Sequence, residues 1–205
     1  MPIKRHLGEA RRAPVPRPAP CLPLGRWPGY AVAVWGLLFA VPSFVWAMGG
    51  TFGAQSMVSP SLVKLARDGV PWFLAVLWVT GFVKLFGALI GIGLTRLRGV
   101  RISRLMVLCG GGAAVLLTWH GCLFVLYGVL VETGAVSVAP GLVELTRWYL
   151  YLWGPWFIVG GLAFAVAAAR YVRRHEDRRV VQVYGAVGAL GALLLSMAST
   201  ATGIG

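Results

Sequence analysis

The stretch VTGFVKLFGALIG, residues 79–91, sets one lysine, Lys84, in a run otherwise suited to hydrocarbon. Whether that run crosses a membrane decides the fold. What stands opposite Lys84 decides where a function is to be sought. The apolar run extends from Trp72 to Leu94, and about 20 residues suffice to cross a bilayer core as a helix. Four further runs of similar length surround it: Gly29–Met48, Leu105–Val131, Tyr149–Ala169 and Val180–Ala201. The 205-residue chain is 58% hydrophobic and 12% charged, with mean hydropathy +0.77. Soluble domains carry roughly 25% charged residues. The expected fold class is therefore an all-α integral membrane protein, with five transmembrane helices in a small bundle.

The charges set the orientation. Of 19 Lys and Arg, fifteen fall in the segment before the first run and in the stretches after the second and fourth runs. Only Lys64, Arg67 and Arg147 fall in the alternate loops, and Lys84 lies inside a run. By the positive-inside rule the N-terminus is cytoplasmic and, after five spans, the C-terminus is outside. Basic loops meeting anionic headgroups account for the net charge of +13, so membrane lipids are the expected partners and nucleic acid is not. Residues 1–28 read as a disordered, basic, Pro-rich cytoplasmic tail. Residues 29–171 read as a four-helix transmembrane domain of two hairpins, and 172–205 as a basic loop with the fifth helix. The first run is too long for a signal-peptide core and is expected to be retained.

Small residues mark the faces that meet. Gly29, Ala33, Gly36, Ala40, Ser43 and Ala47 form one stripe on the first span, read as a packing seam. Gly185, Gly188, Ala189, Ala192, Ser196, Ser199 and Gly203 form another on the fifth. Pro42 is expected to bend the first span. On the second, Thr80, Gly81, Lys84, Gly87, Ala88, Gly91 and Thr95 share one arc. Phe82, Val83, Leu85, Phe86, Leu89, Ile90 and Leu94 take the opposite, lipid-facing side.

Lys84 thus points inward, about 18 Å from the cytoplasmic end of its helix. No Asp or Glu lies in any span. His120, about 24 Å along the third span, stands at similar depth and could accept a hydrogen bond from Lys84, with Tyr127 on its face. Three partners are open for Lys84: helix carbonyls and hydroxyls such as Thr80, a bound anion, or a carboxylate of another protein. Lys84, His120, Tyr127 and Thr80 are accordingly the candidate ligand-binding residues.

Nothing points to catalysis or metal. No nucleotide loop, carboxylate pair or Ser-His-Asp arrangement is visible, and His120 has no second ligand beside it. No cofactor is expected. Cys109 and Cys122 lie about 20 Å apart on one helix, beyond disulfide reach, and Cys21 is on the cytoplasmic side.

The outer loops echo each other. SPSLVKLAR at 59–67 matches APGLVELTR at 139–147 in five of nine positions, and a Pro-Trp-Phe triplet follows each, at 71–73 and 155–157. Both read as amphipathic interfacial helices, and the pair of similar hairpins suggests a parallel internal repeat. Trp46, Trp72, Trp148, Tyr149, Tyr151, Trp153 and Trp156 read as an interfacial belt. The Gly-rich turn in WAMGGTFG, 46–53, has amides that could hold an anion.

The segments VWAMGGTFG, VLWVTGFVKLFGALIG and LYLWGPWFIVGG resemble a family of small bacterial multi-pass membrane proteins, domain of unknown function 3995. The likeness runs over roughly Tyr30 to Tyr171, the first four spans. Family members often carry a histidine where this chain has Ser43. The resemblance implies the architecture and supplies no chemistry; usage rich in Ala, Gly, Arg and Val suits a bacterial inner membrane. The expected function is a non-enzymatic inner-membrane protein that binds an anionic lipid or small molecule at Lys84. The alternative is a structural or accessory subunit, docking on a membrane partner or on a second copy of itself.

Overall fold

The structure, a computed structural model, describes residues 26–97, 99–174 and 178–202. The Pro-rich tail before Arg26, Cys21 and Gly203 lie outside the described residues. Among those described, every regular element is helical. Five are long and apolar enough to cross a membrane. They are α1 (Trp27–Ala47), α3 (Pro71–Arg96), α4 (Val100–Glu132), α6 (Gly154–Arg173) and α7 (Arg178–Thr202). Two short helices, α2 (Pro60–Arg67) and α5 (Val143–Trp148), lie at the end away from the arginine-rich loops. The order long, short, long occurs twice, as α1–α2–α3 and α4–α5–α6.

Glycine decides which helices touch. α1 lies mainly against α3, and α4 against both α6 and α7. In the first seam a Cβ at Gly36 would come within 3.0 Å of the Ala88 amide nitrogen, and one at Gly91 within 2.7 Å of the Gly29 carbonyl oxygen. In the second, a Cβ at Gly121 would meet the Gly154 carbonyl oxygen at 2.7 Å. In the third, one at Gly111 would meet that of Gly185 at 2.6 Å, and Gly188 lies against Leu108. Backbones this close gain dispersion along their whole length, which is how helices associate where lipid removes the hydrophobic drive. The stripes expected on the first and fifth spans are these seams.

Large apolar side chains point outward. Val79, Val83 and Leu195 are each more than 60% exposed, an arrangement that suits lipid and would be an aggregating surface in water. Ile90 and Leu94, expected to face lipid, are instead 5% and 3% exposed. The reason is local. Toward the arginine-rich end α3, still seamed to α1 through Gly29, Gly91 and Thr95, also meets α4, where Leu94 lies against Gly110 and Gly93 against Met106. At that end Tyr171 donates to the Leu97 carbonyl at 2.9 Å and accepts from the Ser103 hydroxyl at 2.8 Å. Arg96, Arg104 and Arg170 each stack over a ring, of Tyr30, Tyr184 and Trp27.

The short-helix end is closed by turns and indoles. α2 starts on Ser59 and Pro60, and Gly69 at φ 65° ends it. Gly49, at φ 94°, ends α1, with its amide on the Trp46 carbonyl and that of Gly50 on the Val45 carbonyl. Those amides are capping donors. Both are committed within the chain and are not offered to an anion. The seam geometry gives a paired test: Gly188→Ala forces α7 off α4 and costs about 1–3 kcal/mol. Gly191→Ala, with nothing within 4 Å, is neutral or stabilising by up to about 1 kcal/mol. Thermal unfolding of the two variants in one detergent distinguishes them.

Candidate functional site

Lys84 stands at residue 14 of the 26 in α3 and reaches across to α1. Its Nζ donates to Ser43 Oγ at 2.9 Å and lies 3.8 Å from the centroid of the Phe39 ring. Ser43 is 1% exposed and Phe39 6%. The sequence reading placed Ser43 in a packing seam, which it does occupy, and missed its second role. The available signal was that Ser43 is the only Ser or Thr in Gly29–Met48 and shares its stripe.

Magnitudes explain why the chain tolerates this amine. A lysine at the centre of a spanning helix costs about 2.5–3.5 kcal/mol. A hydrogen bond from a charged donor returns about 1.5–3 kcal/mol. A desolvated cation over a ring returns about 2 kcal/mol. Hydroxyl and ring together offset the insertion cost without an acidic partner.

The remaining candidates do not join Lys84. Thr80 donates to the Val76 carbonyl at 2.7 Å, one turn back in its own helix. His120 Nδ1 is 2.9 Å from the Leu116 carbonyl oxygen, also in its own helix. The Lys84–His120 hydrogen bond expected above is not made. Depth is not the obstacle: Leu94 lies against Gly110, and ten residues outward from each come Lys84 and His120. Aromatic rings stand between them. Phe39 packs edge-on against Phe157 at 5.1 Å, and Phe157 against Phe124 at 5.6 Å. Phe124 in turn stacks on Tyr149 at 4.7 Å. Any amine–imidazole chemistry between Lys84 and His120 lacks its constellation.

Beyond that wall lies a groove of about 460 Å³. One side is α4, through His120, Leu123, Phe124 and Tyr127. The other is the 138–149 segment, through Leu142, Leu145, Thr146 and Tyr149, with Thr200 of α7 at the margin. The rim carries an exposed ion pair, Arg147 Nε to Glu132 Oε1 at 2.7 Å, joining α5 to the end of α4. Tyr149–Trp153 forms a π-helical turn between α5 and α6. It directs Tyr149 and Trp153 onto the first half of the chain: the phenol donates to the Met57 carbonyl at 2.8 Å and the indole to that of Ser56 at 2.7 Å. Both belong to the expected aromatic belt, but they are stitches between halves. Trp72, Trp148 and Tyr151 are outward-facing, as belt residues are. Among the described residues no three His, Cys, Asp or Glu gather as a metal site would require.

A family model matches residues 36–164. The chain belongs to the family described as "Protein of unknown function (DUF3995)". No curated protein and no solved structure matches it. The matched region holds Phe39, Ser43, Lys84, His120, Tyr127 and Tyr149, while Thr200 lies outside it. The family supplies no chemistry, so the site must be read from its geometry.

The Lys84 contact is open to a double-mutant cycle. Ser43→Ala leaves a protonated amine facing a methyl group and destabilises by about 1–3 kcal/mol. Lys84→Met removes the demand and is neutral or stabilising. In the Lys84→Met background Ser43→Ala costs little, giving a coupling of about 1.5–3 kcal/mol in thermal or denaturant unfolding.

Proposed function

We propose that this protein is a non-enzymatic, multi-pass protein of the bacterial inner membrane that holds a lipid-like molecule in the groove between α4, α5 and the end of α7. The observation that carries the reading is the groove itself. At about 460 Å³ it falls within the roughly 300–1,000 Å³ of small-molecule pockets, and it has their composition, apolar walls with a few polar groups. It opens among helices apolar enough to lie in a bilayer, so its natural occupants are molecules that partition there. The fifteen-to-three distribution of basic residues supports a cytoplasmic arginine-rich end, which puts the groove in the outer half of the membrane.

A second reading has its own observation. Lys84 carries three N–H donors; Ser43 takes one and the Phe39 ring lies beside the amine. No salt bridge to Lys84 occurs among the described residues. A bound anion, a lipid phosphate or a small acid, would complete that shell.

Native mass spectrometry of gently extracted protein separates the two. With the groove as the site, a lipid-mass adduct survives in wild type and in Lys84→Met and disappears in Leu123→Trp, where an indole fills the groove. With Lys84 as the site, the pattern reverses. An adduct lost in neither variant removes both readings and turns the search to a protein partner.

A further inference from the structure

Resting on the groove reading above, we infer that the groove selects an uncharged amphipathic molecule carrying a hydroxyl group on an apolar body, and that His120 Nε2 accepts its proton. The argument is one of donors and acceptors. A backbone carbonyl only accepts, so the contact from His120 Nδ1 to the Leu116 oxygen at 2.9 Å requires the proton on Nδ1. In the uncharged ring that leaves a lone pair on Nε2. Nε2 takes no partner among the described residues, and His120 lines the groove.

The other polar lining groups point the same way. The Thr146 hydroxyl donates to the Leu142 carbonyl at 2.9 Å, the Tyr149 phenol to Met57 at 2.8 Å, and the Thr200 hydroxyl to Ser196 at 2.8 Å. Each of those protons already points at a carbonyl, so each oxygen presents only lone pairs to a ligand. The Tyr127 hydroxyl alone has no described partner, and it lies two turns from His120, about 10 Å along α4. The groove is thus acceptor-rich and apolar. Anions find no cation among its lining residues, and a pure hydrocarbon leaves the imidazole lone pair unpaired. A long-chain alcohol and a chain-bearing hydroquinone both supply the complementary donor.

The test uses matched probes on the full-length protein in detergent: dodecanol against dodecyl methyl ether, and decylhydroquinone against its dimethyl ether. Adducts are counted by native mass spectrometry at equal free probe. Each ether keeps the apolar body and lacks the donor. Wild type is expected to retain at least one of the hydroxyl probes about tenfold better than its ether, and the better of the two names the source. His120→Phe brings that ratio to within about twofold, while His120→Gln, which restores an acceptor, keeps the preference. Equal retention of alcohol and ether by wild type, lost for both in Leu123→Trp, overturns the donor selection and leaves the groove standing. Undiminished binding of every probe by Leu123→Trp overturns the groove as well. A preference that survives in folded His120→Phe overturns the role of His120; if that variant does not fold, His120→Leu is read in its place by the same criterion.

Discussion

The architecture depends on backbone contact between helices. In hydrocarbon, burying a leucine against another leucine gains little over burying it against lipid, so association rests on close approach and on the few polar bonds available. The α1–α3, α4–α6 and α4–α7 seams supply that approach through Gly36, Gly91, Gly121, Gly111 and Gly188, where even a methyl group would collide. Large side chains flank these backbone contacts. They collect outside them or in the space where the α1–α3 pair faces α6. That space holds Trp35, Phe39, Trp156, Phe157 and Phe164 in mutual ring contact.

This cluster has a chemical consequence. It presents a ring face to Lys84 on one side and, through Phe124 and Tyr149, a wall to the groove on the other. Two polar centres at one depth are therefore isolated from each other. Lys84 is held by the same α1 face that makes the first seam, so its hydroxyl and ring partners cost no extra ordering. His120 is tied to its own helix through Nδ1 and leaves Nε2 for another molecule. One centre is closed within the chain to a greater degree than the other, and the difference follows from what each helix has across from it.

The helices and their seams were legible because both depend on short-range pattern: runs of apolar residues, and small residues at three- and four-residue spacing. Lys84 was correctly placed on the inward face of α3, since a single helical wheel decides that. Its partner was not legible, because Ser43 lies 41 residues away and a serine in a small-residue stripe fits packing equally well. Ile90 and Leu94 were assigned to lipid for a related reason. A wheel has one inner face, whereas α3 meets α1 on one side and, near its end, α4 on another. The groove was least legible of all. It is assembled from α4, the 138–149 segment and α7, and no local pattern relates Thr200 to His120.

The two halves of the chain differ at the junction where the groove lies. The short helices match at an offset of 80, Pro60 with Pro140 and Arg67 with Arg147, but the Pro-Trp-Phe triplets match at 84, Pro71 with Pro155. Four residues, about one helical turn, separate the two junctions. In the first half the junction is short and breaks at Gly69, with φ 65°. α2 turns aside there and packs with the head of α3: Ala66, Phe73 and Leu77 join Trp46 and Ala54 in a second buried cluster. In the second half the additional turn continues as helix, with the π-helical segment absorbing the misfit. α5 stays in line with α6 and reaches α4 through the Arg147–Glu132 pair at the rim. The groove lies at this longer junction, walled by α4 on one side and by the 138–149 segment on the other.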